Sequence, residues 1–324
     1  QLLDDPHARS ARGNRVAVLV LAPTRELVMQ IGEVLRGFIE AVQARIRVIA
    51  VYGGVAINPQ MMSLRGGVDI LVATPGRLLD LGRQNAVELS GVRALVLDEA
   101  DRMLSLGFRA ELGEVLELLP PRRQNLLFSA TLPPDIVELT ASLLHDPLTV
   151  DVTRPSEGQS EPDIEQHVYQ VDHDRKTGLL IKLLERPELR QVLVFISMKK
   201  TADVLAGSLQ RAGISAACFH ADKSQGERTR TLRAFRDGGL RVLLATDLAA
   251  RGIDIEDLPV VINFELPRSP NDYQHRIGRT GRAGRPGLAI SLICSAEEHH
   301  FRVIEKRIKR RLPREQIAGF EPRS

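Results

Sequence analysis

The sequence predicts an α/β protein of two lobes, each a mostly parallel sheet with helices on both faces. Three observations carry this. Short apolar runs rich in Val, Ile and Leu alternate with helical patterns along the whole chain, as buried parallel strands do. Polar motifs follow those runs directly, at the strand ends where open α/β sheets hold ligands. The stretch 153–163, Thr-Arg-Pro-Ser-Glu-Gly-Gln-Ser-Glu-Pro-Asp, contains no aliphatic residue and reads as a linker. The expected domains are 1–152 and 164–324, and 324 residues suit two domains of ordinary size.

Taken in order, residues 1–15 are polar and read as a loop, and Val16 to Leu21 is the first strand. Thr24 suits the cap of a helix whose first turn holds Glu26. That helix runs to about Val42, with Leu27, Ile31, Val34, Leu35, Phe38 and Ile39 on one face. Val48 to Val51 is a strand closed by Gly53-Gly54. Asp69 to Ala73 is another, followed by Thr74-Pro75-Gly76-Arg77, where Thr74 suits an N-cap and Pro75 the first helical position. Ala94 to Leu97 runs into Asp98-Glu99-Ala100-Asp101, and a helix is expected from about Asp101 to Leu119. Asn125 to Phe128 ends in Ser129-Ala130-Thr131, a helix starts at Pro133-Pro134 and reaches about Leu144, and Leu148 to Val152 closes the first half. Beyond the linker, strands are expected at Glu165–Val171, Val192–Ile196, Ala216–His220, Arg241–Ala245, Val260–Phe264 and Leu288–Cys294. Helices are expected at about Arg175–Leu184, Lys200–Ala212 and Gln225–Asp237.

No apolar run reaches membrane-spanning length, and the N-terminus lacks a basic-then-apolar signal pattern. Cys218 and Cys294 sit inside apolar runs and read as buried thiols of a reducing compartment rather than a disulfide or metal site, which implies a cytoplasmic protein. Net charge is +3 but uneven: residues 1–155 hold 16 Arg and 18 acids, residues 156–324 hold 28 Lys and Arg and 23 acids. The excess, in runs such as Arg302 to Arg314, hints at an anionic partner, though a solvated helix face explains it nearly as well. With Trp 0, Tyr 3 and Phe 9, broad aromatic stacking platforms for nucleic acid are not expected.

The acids at 98–101 suggest chemistry. Asp98 offers a hard oxygen for Mg²⁺, and Glu99 a base beside a water that attacks phosphate. Alone they read equally well as a solvated turn. Ser129 and Thr131 alone read as an ordinary helix start. Arg279 and Arg282, three apart, share a helix face or successive turn positions, and alone read equally as an exposed basic loop.

The ordered set resolves the ambiguity. Pro23-Thr24-Arg25-Glu26-Leu27, Gly53-Gly54, Thr74-Pro75-Gly76-Arg77, Asp98-Glu99-Ala100-Asp101 and Ser129-Ala130-Thr131 resemble the first lobe of a DEAD-box RNA helicase. Val194-Phe195-Ile196-Ser197, Gln225-Gly226-Glu227-Arg228, Ala245-Thr246-Asp247 through Ile255, and His275-Arg276-Ile277-Gly278-Arg279-Thr280-Gly281-Arg282 continue the resemblance through the second. It covers nearly the whole chain. The Arg-rich ending before Gly319-Phe320-Glu321-Pro322 resembles compact bacterial members linked to ribosome assembly.

The resemblance implies two RecA-like lobes and an ATP- and Mg²⁺-dependent RNA helicase that hydrolyses ATP in the cleft between them to unwind short duplexes or remodel RNA–protein complexes. By it, Asp98 holds Mg²⁺ through water and Glu99 orients and deprotonates the attacking water. Asp101 contacts neighbouring motifs, and Ser129 and Thr131 couple the nucleotide site to lobe closure. Arg279 and Arg282 reach the γ-phosphate, with His275 tied to the same water network, and Asp254 binds the ribose. The implied RNA surface comprises Arg25, Gly54, Thr74 and Arg77 in the first lobe and Ser197, Gln225, Arg228, Thr246 and Gly252 in the second. Backbone-directed contacts of this kind make binding largely independent of base sequence, with ribosomal RNA among the implied partners.

One departure stands out. The family opens with an adenine-reading segment and a phosphate-binding loop ending Gly-Lys-Thr or Gly-Lys-Ser, and neither occurs here; the first lysine is Lys176. This reads as an N-terminally incomplete first lobe, inactive by itself. A nucleotide-free RNA-binding or interaction protein derived from a helicase is the rival, and a DNA helicase of the same superfamily is disfavoured by the Asp98–Asp101 sequence and the second-lobe motifs.

Overall fold

A computed structural model describes residues 15–151, 164–250, 258–281 and 286–323. The chain divides into two compact units between Val150 and Asp151. The expected linker 153–163 lies outside the described residues.

The first unit runs β1 (Val18–Leu21), α1 (Arg25–Ala41), β2 (Val48–Val51), α2 (Ile57–Leu64), β3 (Ile70–Ala73), α3 (Pro75–Arg83), β4 (Ala94–Leu97), α4 (Ala100–Ser105), α5 (Arg109–Glu117), β5 (Gln124–Leu127) and α6 (Pro134–Leu143). Its sheet has the order β2-β3-β1-β4-β5, all parallel. The register is flush: Leu21 lies level with Ala73 and Leu97, Ala73 with Val51, and Leu97 with Leu127. Every strand therefore ends on one line, and the motif after each strand emerges at the same edge.

Three expectations need correction. In α1 the core-facing stripe is Val28 and Ile39, flanked by Leu27, Ile31 and Leu35; Val34 and Phe38 are 66% and 61% exposed. The sheet claims a stripe narrower than the apolar residues available. The single helix expected over 101–119 is two, because Gly107 turns left-handed at φ +90° and ends α4 before α5 begins. Residues 148–150 form no strand, and Leu148 is 92% exposed. Helix α2 has no charged residue and a Pro in its first turn, so nothing in its pattern marked it.

The second unit runs β6 (Ile164–Gln170), α7 (Lys176–Leu184), β7 (Val192–Phe195), α8 (Lys199–Arg211), β8 (Ala216–Phe219), α9 (Gln225–Arg236), β9 (Val242–Ala245), α10 (Asp247–Ala250), β10 (Val260–Asn263), α11 (Pro270–Ile277), β11 (Gly287–Ile293), α12 (Glu298–Ile308) and β12 (Arg314–Glu315). The sheet order is β12-β6-β11-β10-β7-β9-β8, again all parallel. Strands β7, β9 and β10 are buried along their whole length, each Val, Leu, Ile or Phe side chain contributing about 1.5–3 kcal/mol. Phe195, Ala245 and Asn263 end level with one another.

The C-terminal segment closes this unit onto its own beginning. β12 pairs with β6, Arg175 donates to the carbonyls of Gly319 and Glu321, and its guanidinium lies 5.3 Å from the Phe320 ring centre. Arg314 holds Glu298 and Glu305 at 3.0 and 2.8 Å. Part of the Arg-rich run is thus spent within the fold.

Candidate functional site

In the first unit the site is built on the end of β4. The Asp98 amide donates to the Leu21 carbonyl at 2.9 Å and the Ala100 amide to the Phe128 carbonyl at 3.0 Å, which fixes the acids between the ends of β1 and β5. Between them Glu99 is left-handed, at φ 48° and ψ 51°. A residue with a Cβ gives up about 1–2 kcal/mol to sit there. That turn lets the chain leave the sheet and start α4 at the next residue. The Glu99 carboxylate meets Arg102 Nη1 at 2.9 Å.

Asp101 links this turn to the next motif. Its Oδ2 accepts from the Thr131 amide at 3.0 Å and from Thr131 Oγ1 at 2.5 Å, while Ser129 Oγ donates to the Thr131 carbonyl at 2.6 Å. The structure therefore joins Asp101, Ser129 and Thr131 directly and sets Asp98 and Glu99 beside them. Burial, countered by the Glu99 amide's hydrogen bond but aided by the Glu99 charge, raises the Asp98 pKa above the ordinary carboxylate value. Asp98 has no cationic side-chain partner among the described residues; its Oδ1 accepts only the Glu99 amide, at 2.9 Å. A half-buried carboxylate, disfavoured as an anion and next to a second acid, is suited to a hard divalent cation, so these residues fit Mg²⁺.

The neighbouring strand ends bring together Arg25, Gly54 and Arg77. Arg25 Nη1 donates to the Gly54 carbonyl at 3.4 Å. Gly54 has φ +72°, and a Cβ there would fall on the Arg25 guanidinium. Arg77 is 7% exposed, and its Nη2 donates to the Val55 carbonyl at 2.8 Å. It thereby ties α3 to the residue that follows the Gly53-Gly54 turn. Thr74 stands at the N-cap of α3 as expected, but its hydroxyl makes no capping bond.

In the second unit, Ser197 follows β7 and donates its amide to Glu265 Oε2 at 2.6 Å. Gln225 is the first residue of α9, which Ser224 and Glu227 open with a reciprocal capping box. Arg228 is 6% exposed and stacks 4.6 Å over Phe219. Thr246, buried at the end of β9, accepts the amides of Ala249 and Ala250. His275 is exposed in the last turn of α11. The helix ends at Ile277, so Arg279 sits in the following turn, its amide donating to the Arg276 carbonyl. The turn alternative, not a shared helix face, holds for Arg279. Gly252, Asp254 and Arg282 lie outside the described residues.

Sequence reasoning passed over Arg276, which is 2% exposed. It grips Asp247 with Nε–Oδ1 at 2.6 Å and Nη2–Oδ2 at 2.7 Å, reaches Asn263 Oδ1 at 3.0 Å and the Glu265 carbonyl at 2.6 Å, and lies 4.8 Å over Phe195. One side chain thus ties together the ends of β7, β9 and β10. Its place between His275 and Arg279 in a run rich in motif residues was the available signal. Lys176, similarly buried, bonds Glu297 at 2.6 Å and the Phe264 carbonyl at 3.1 Å, a structural tie.

Comparison with known proteins bears on this arrangement. Residues 5–139 match the family described as DEAD/DEAH box helicase, and residues 175–284 the helicase conserved C-terminal domain. The chain is 38% identical over 305 residues to the DEAD-box ATP-dependent RNA helicase CshA of Geobacillus kaustophilus, covering 94% of this chain and 64% of that relative. It is 42% identical over 294 residues to DEAD-box ATP-dependent RNA helicase 40 of Arabidopsis thaliana, covering 90% of this chain and 27% of that one. The chain thus spans less than two thirds of these relatives. Among solved structures, S. cerevisiae Dbp5 bound to RNA and ADP BeF3 aligns with a TM-score of 0.77 at 30% identity, over 94% of this chain and 78% of that one.

Proposed function

We propose, because this chain belongs to the DEAD-box helicase family, that the whole protein is an RNA-dependent ATPase that uses ATP hydrolysis to unwind short RNA duplexes or remodel RNA–protein complexes. The observation that carries this is the end of β4: Asp98 half-buried without a cationic side-chain partner among the described residues, Glu99 held left-handed beside it, and Asp101 bonded to Thr131. Phosphoryl transfer asks for positioning and charge neutralisation more than covalent chemistry. Asp98 would hold Mg²⁺, which supplies neutralisation of the phosphate charge when bound. Glu99 orients a water and takes its proton as the water oxygen bonds to the terminal phosphorus and the bond to the leaving ADP oxygen breaks. Asp101 and Thr131 keep that turn in register with the end of β5. Arg279, with Arg282 and Asp254, carries the second unit's share of nucleotide binding.

RNA is held through its backbone by Arg25, Gly54, Thr74 and Arg77 in one unit and Ser197, Gln225, Arg228, Thr246 and Gly252 in the other. The flush strand ends support this, because they line up amides, hydroxyls and guanidinium groups suited to phosphate oxygens. Dbp5, the RNA-bound structural relative, lends it weight. Structured RNA of the ribosomal kind is the substrate we assign, from the likeness of the Arg-rich ending to compact bacterial members. A cytoplasmic setting fits two free cysteines, and among the described residues no helix is long and apolar enough to cross a membrane.

A second reading rests on one observation: no Gly-Lys-Thr or Gly-Lys-Ser occurs in the 324 residues. On that reading this chain alone binds RNA without turning over ATP, because the acids and arginines act only on a phosphate already positioned. The test is RNA-stimulated phosphate release by the 324-residue chain, and by the same chain preceded by an adenine-reading and phosphate-loop segment. The helicase reading expects stimulation in the longer protein, abolished by Glu99→Gln. RNA binding without turnover in both supports the second reading.

A further inference from the structure

Away from the motif edge described above, the second unit gathers three side chains of a different chemistry. Alternation along β8 puts residues two apart on the same face of the sheet, so Cys218 and His220, just past the strand's end, point the same way. Helix α8 packs over that strand and offers Asp203 to them. A sulfur, a ring nitrogen and a carboxylate oxygen, one from each residue, lie within 4.8 Å of one another. Around a tetrahedral ion such atoms stand roughly 3.5 Å apart, so the three need to close by only about 1 Å. Some of that closure exists: His220 Nε2 is 3.2 Å from Asp203 Oδ1.

The imidazole is enclosed: His220 is 1% exposed, and the nitrogen it turns to the cluster is Nε2, which faces Asp203. Lys223 sets its ammonium 2.9 Å from the same Asp203 oxygen, so an ion bound there must displace it.

We propose that Asp203, Cys218 and His220 bind a single divalent ion of the Zn²⁺ class, with thiolate, imidazole and carboxylate as ligands and a fourth position open to water. The donor set selects the metal: sulfur and nitrogen suit Zn²⁺, while Mg²⁺ and Ca²⁺ take oxygen. Binding replaces the thiol proton of Cys218 with the ion, releasing that proton to solvent, and moves the Lys223 ammonium off Asp203. This goes beyond the reading of Cys218 as an inert core thiol, and it stands whether or not the chain hydrolyses ATP.

The test uses the full chain, reduced and stripped of metal. Co²⁺, added as a spectroscopic stand-in, should give a thiolate-to-cobalt absorption band in the near ultraviolet that saturates at one ion per chain and is displaced by Zn²⁺. Cys218→Ser should abolish the band and weaken Zn²⁺ binding, read by competition with a chromophoric chelator. We expect a loss of about a hundredfold or more, since removing even an outer-shell partner costs roughly 10–100-fold. Cys294→Ser should leave both unchanged. Circular dichroism checks the fold of each variant. Should Cys218→Ser unfold, Asp203→Asn, on the exposed surface of α8, must weaken Zn²⁺ binding. Absence of the thiolate band, its survival in Cys218→Ser, or Zn²⁺ affinity unmoved by Asp203→Asn would overturn the proposal.

Discussion

Arg276→Ala is the substitution from which the second unit should suffer most. The side chain is 2% exposed and makes two bonds to Asp247, one to Asn263 and one to the Glu265 carbonyl, beneath a ring contact with Phe195. Truncation leaves the Asp247 carboxylate, 24% exposed, without its guanidinium, and the buried Asn263 oxygen without its donor. Breaking a buried pair by removing one partner costs about 3–5 kcal/mol. For a unit of this size each kcal/mol lowers the melting temperature by about 2–4 °C, so a fall of roughly 6–20 °C is expected. The chain has no Trp, so fluorescence is a poor reporter; calorimetry should show the transition of the second unit falling while the first stays put. Hydrogen exchange should quicken in peptides from β9 and β10. Arg276→Lys should recover only part of the loss, because an ammonium cannot make the fork or the stack. The companion Asp247→Ala, combined with Arg276→Ala, should cost much less than the two singles added together. A fall below about 3 °C for Arg276→Ala would refute the view that this side chain ties the three strand ends together.

Three further outcomes are expected. Glu99→Gln should lower RNA-stimulated phosphate release by the whole protein about a hundredfold or more, the share of a general base, with ATP and RNA affinity within a few fold of the parent; nucleotide titration beside a turnover assay checks this. Gly54→Ala should destabilise the first unit by about 1 kcal/mol through its positive φ and displace Arg25, weakening RNA binding in a filter-binding titration more than it lowers the melting temperature. His167 gives a pH dependence. Burial lowers its pKa, but hydrogen bonds to Glu315 and Glu165 outweigh this and leave it raised above 6.5. The stability that the protonated ring lends to the pairing of β12 with β6 should be full below pH 6.5 and fade as pH rises through the raised value. Hydrogen exchange at residues 314–315 reads this, and His167→Gln should flatten it.

The sequence was most legible where a strong local rule met the global one. Buried parallel strands announced themselves as unbroken apolar runs, and the motifs at their ends followed from the topology. The breaks came where local pattern and tertiary demand diverged. Val34 and Phe38 satisfy the helical period of α1 but stand outside the stripe its sheet accepts. Gly107 lies inside the stretch expected as one helix, and only its left-handed backbone reveals the end of α4. Site residues were readable through spacing and resemblance, their partners much less so. That Asp101 bonds Thr131, thirty positions on, depends on β4 and β5 being neighbours, which no local pattern states. Arg276 escaped because charge in a basic run is usually solvated, whereas here it is enclosed. Cys218 and His220 are two letters apart at the end of a strand, and what gives them meaning is a helix residue fifteen positions earlier than the cysteine.

The clasp of the second unit's end onto its beginning bears on how the chain matures as it is made. Strand β6 is the first of its sheet to emerge, yet its neighbours are β11 and β12, which begin at Gly287 and Arg314. At a synthesis rate of roughly 5–20 residues per second, Ile164 to Gln170 waits on the order of ten seconds before a partner exists. Throughout that interval the seven residues of this strand lack both sheet neighbours, and their N–H and C=O groups stay open to other partners. Strand β6 opens with three consecutive polar residues after Ile164, namely Glu165, Gln166 and His167, none of them buried, and polar residues of this kind guard so long-lived an edge against pairing with the wrong chain. Substituting those polar positions by Val should lower the yield of soluble protein during synthesis, most of all when translation is slow.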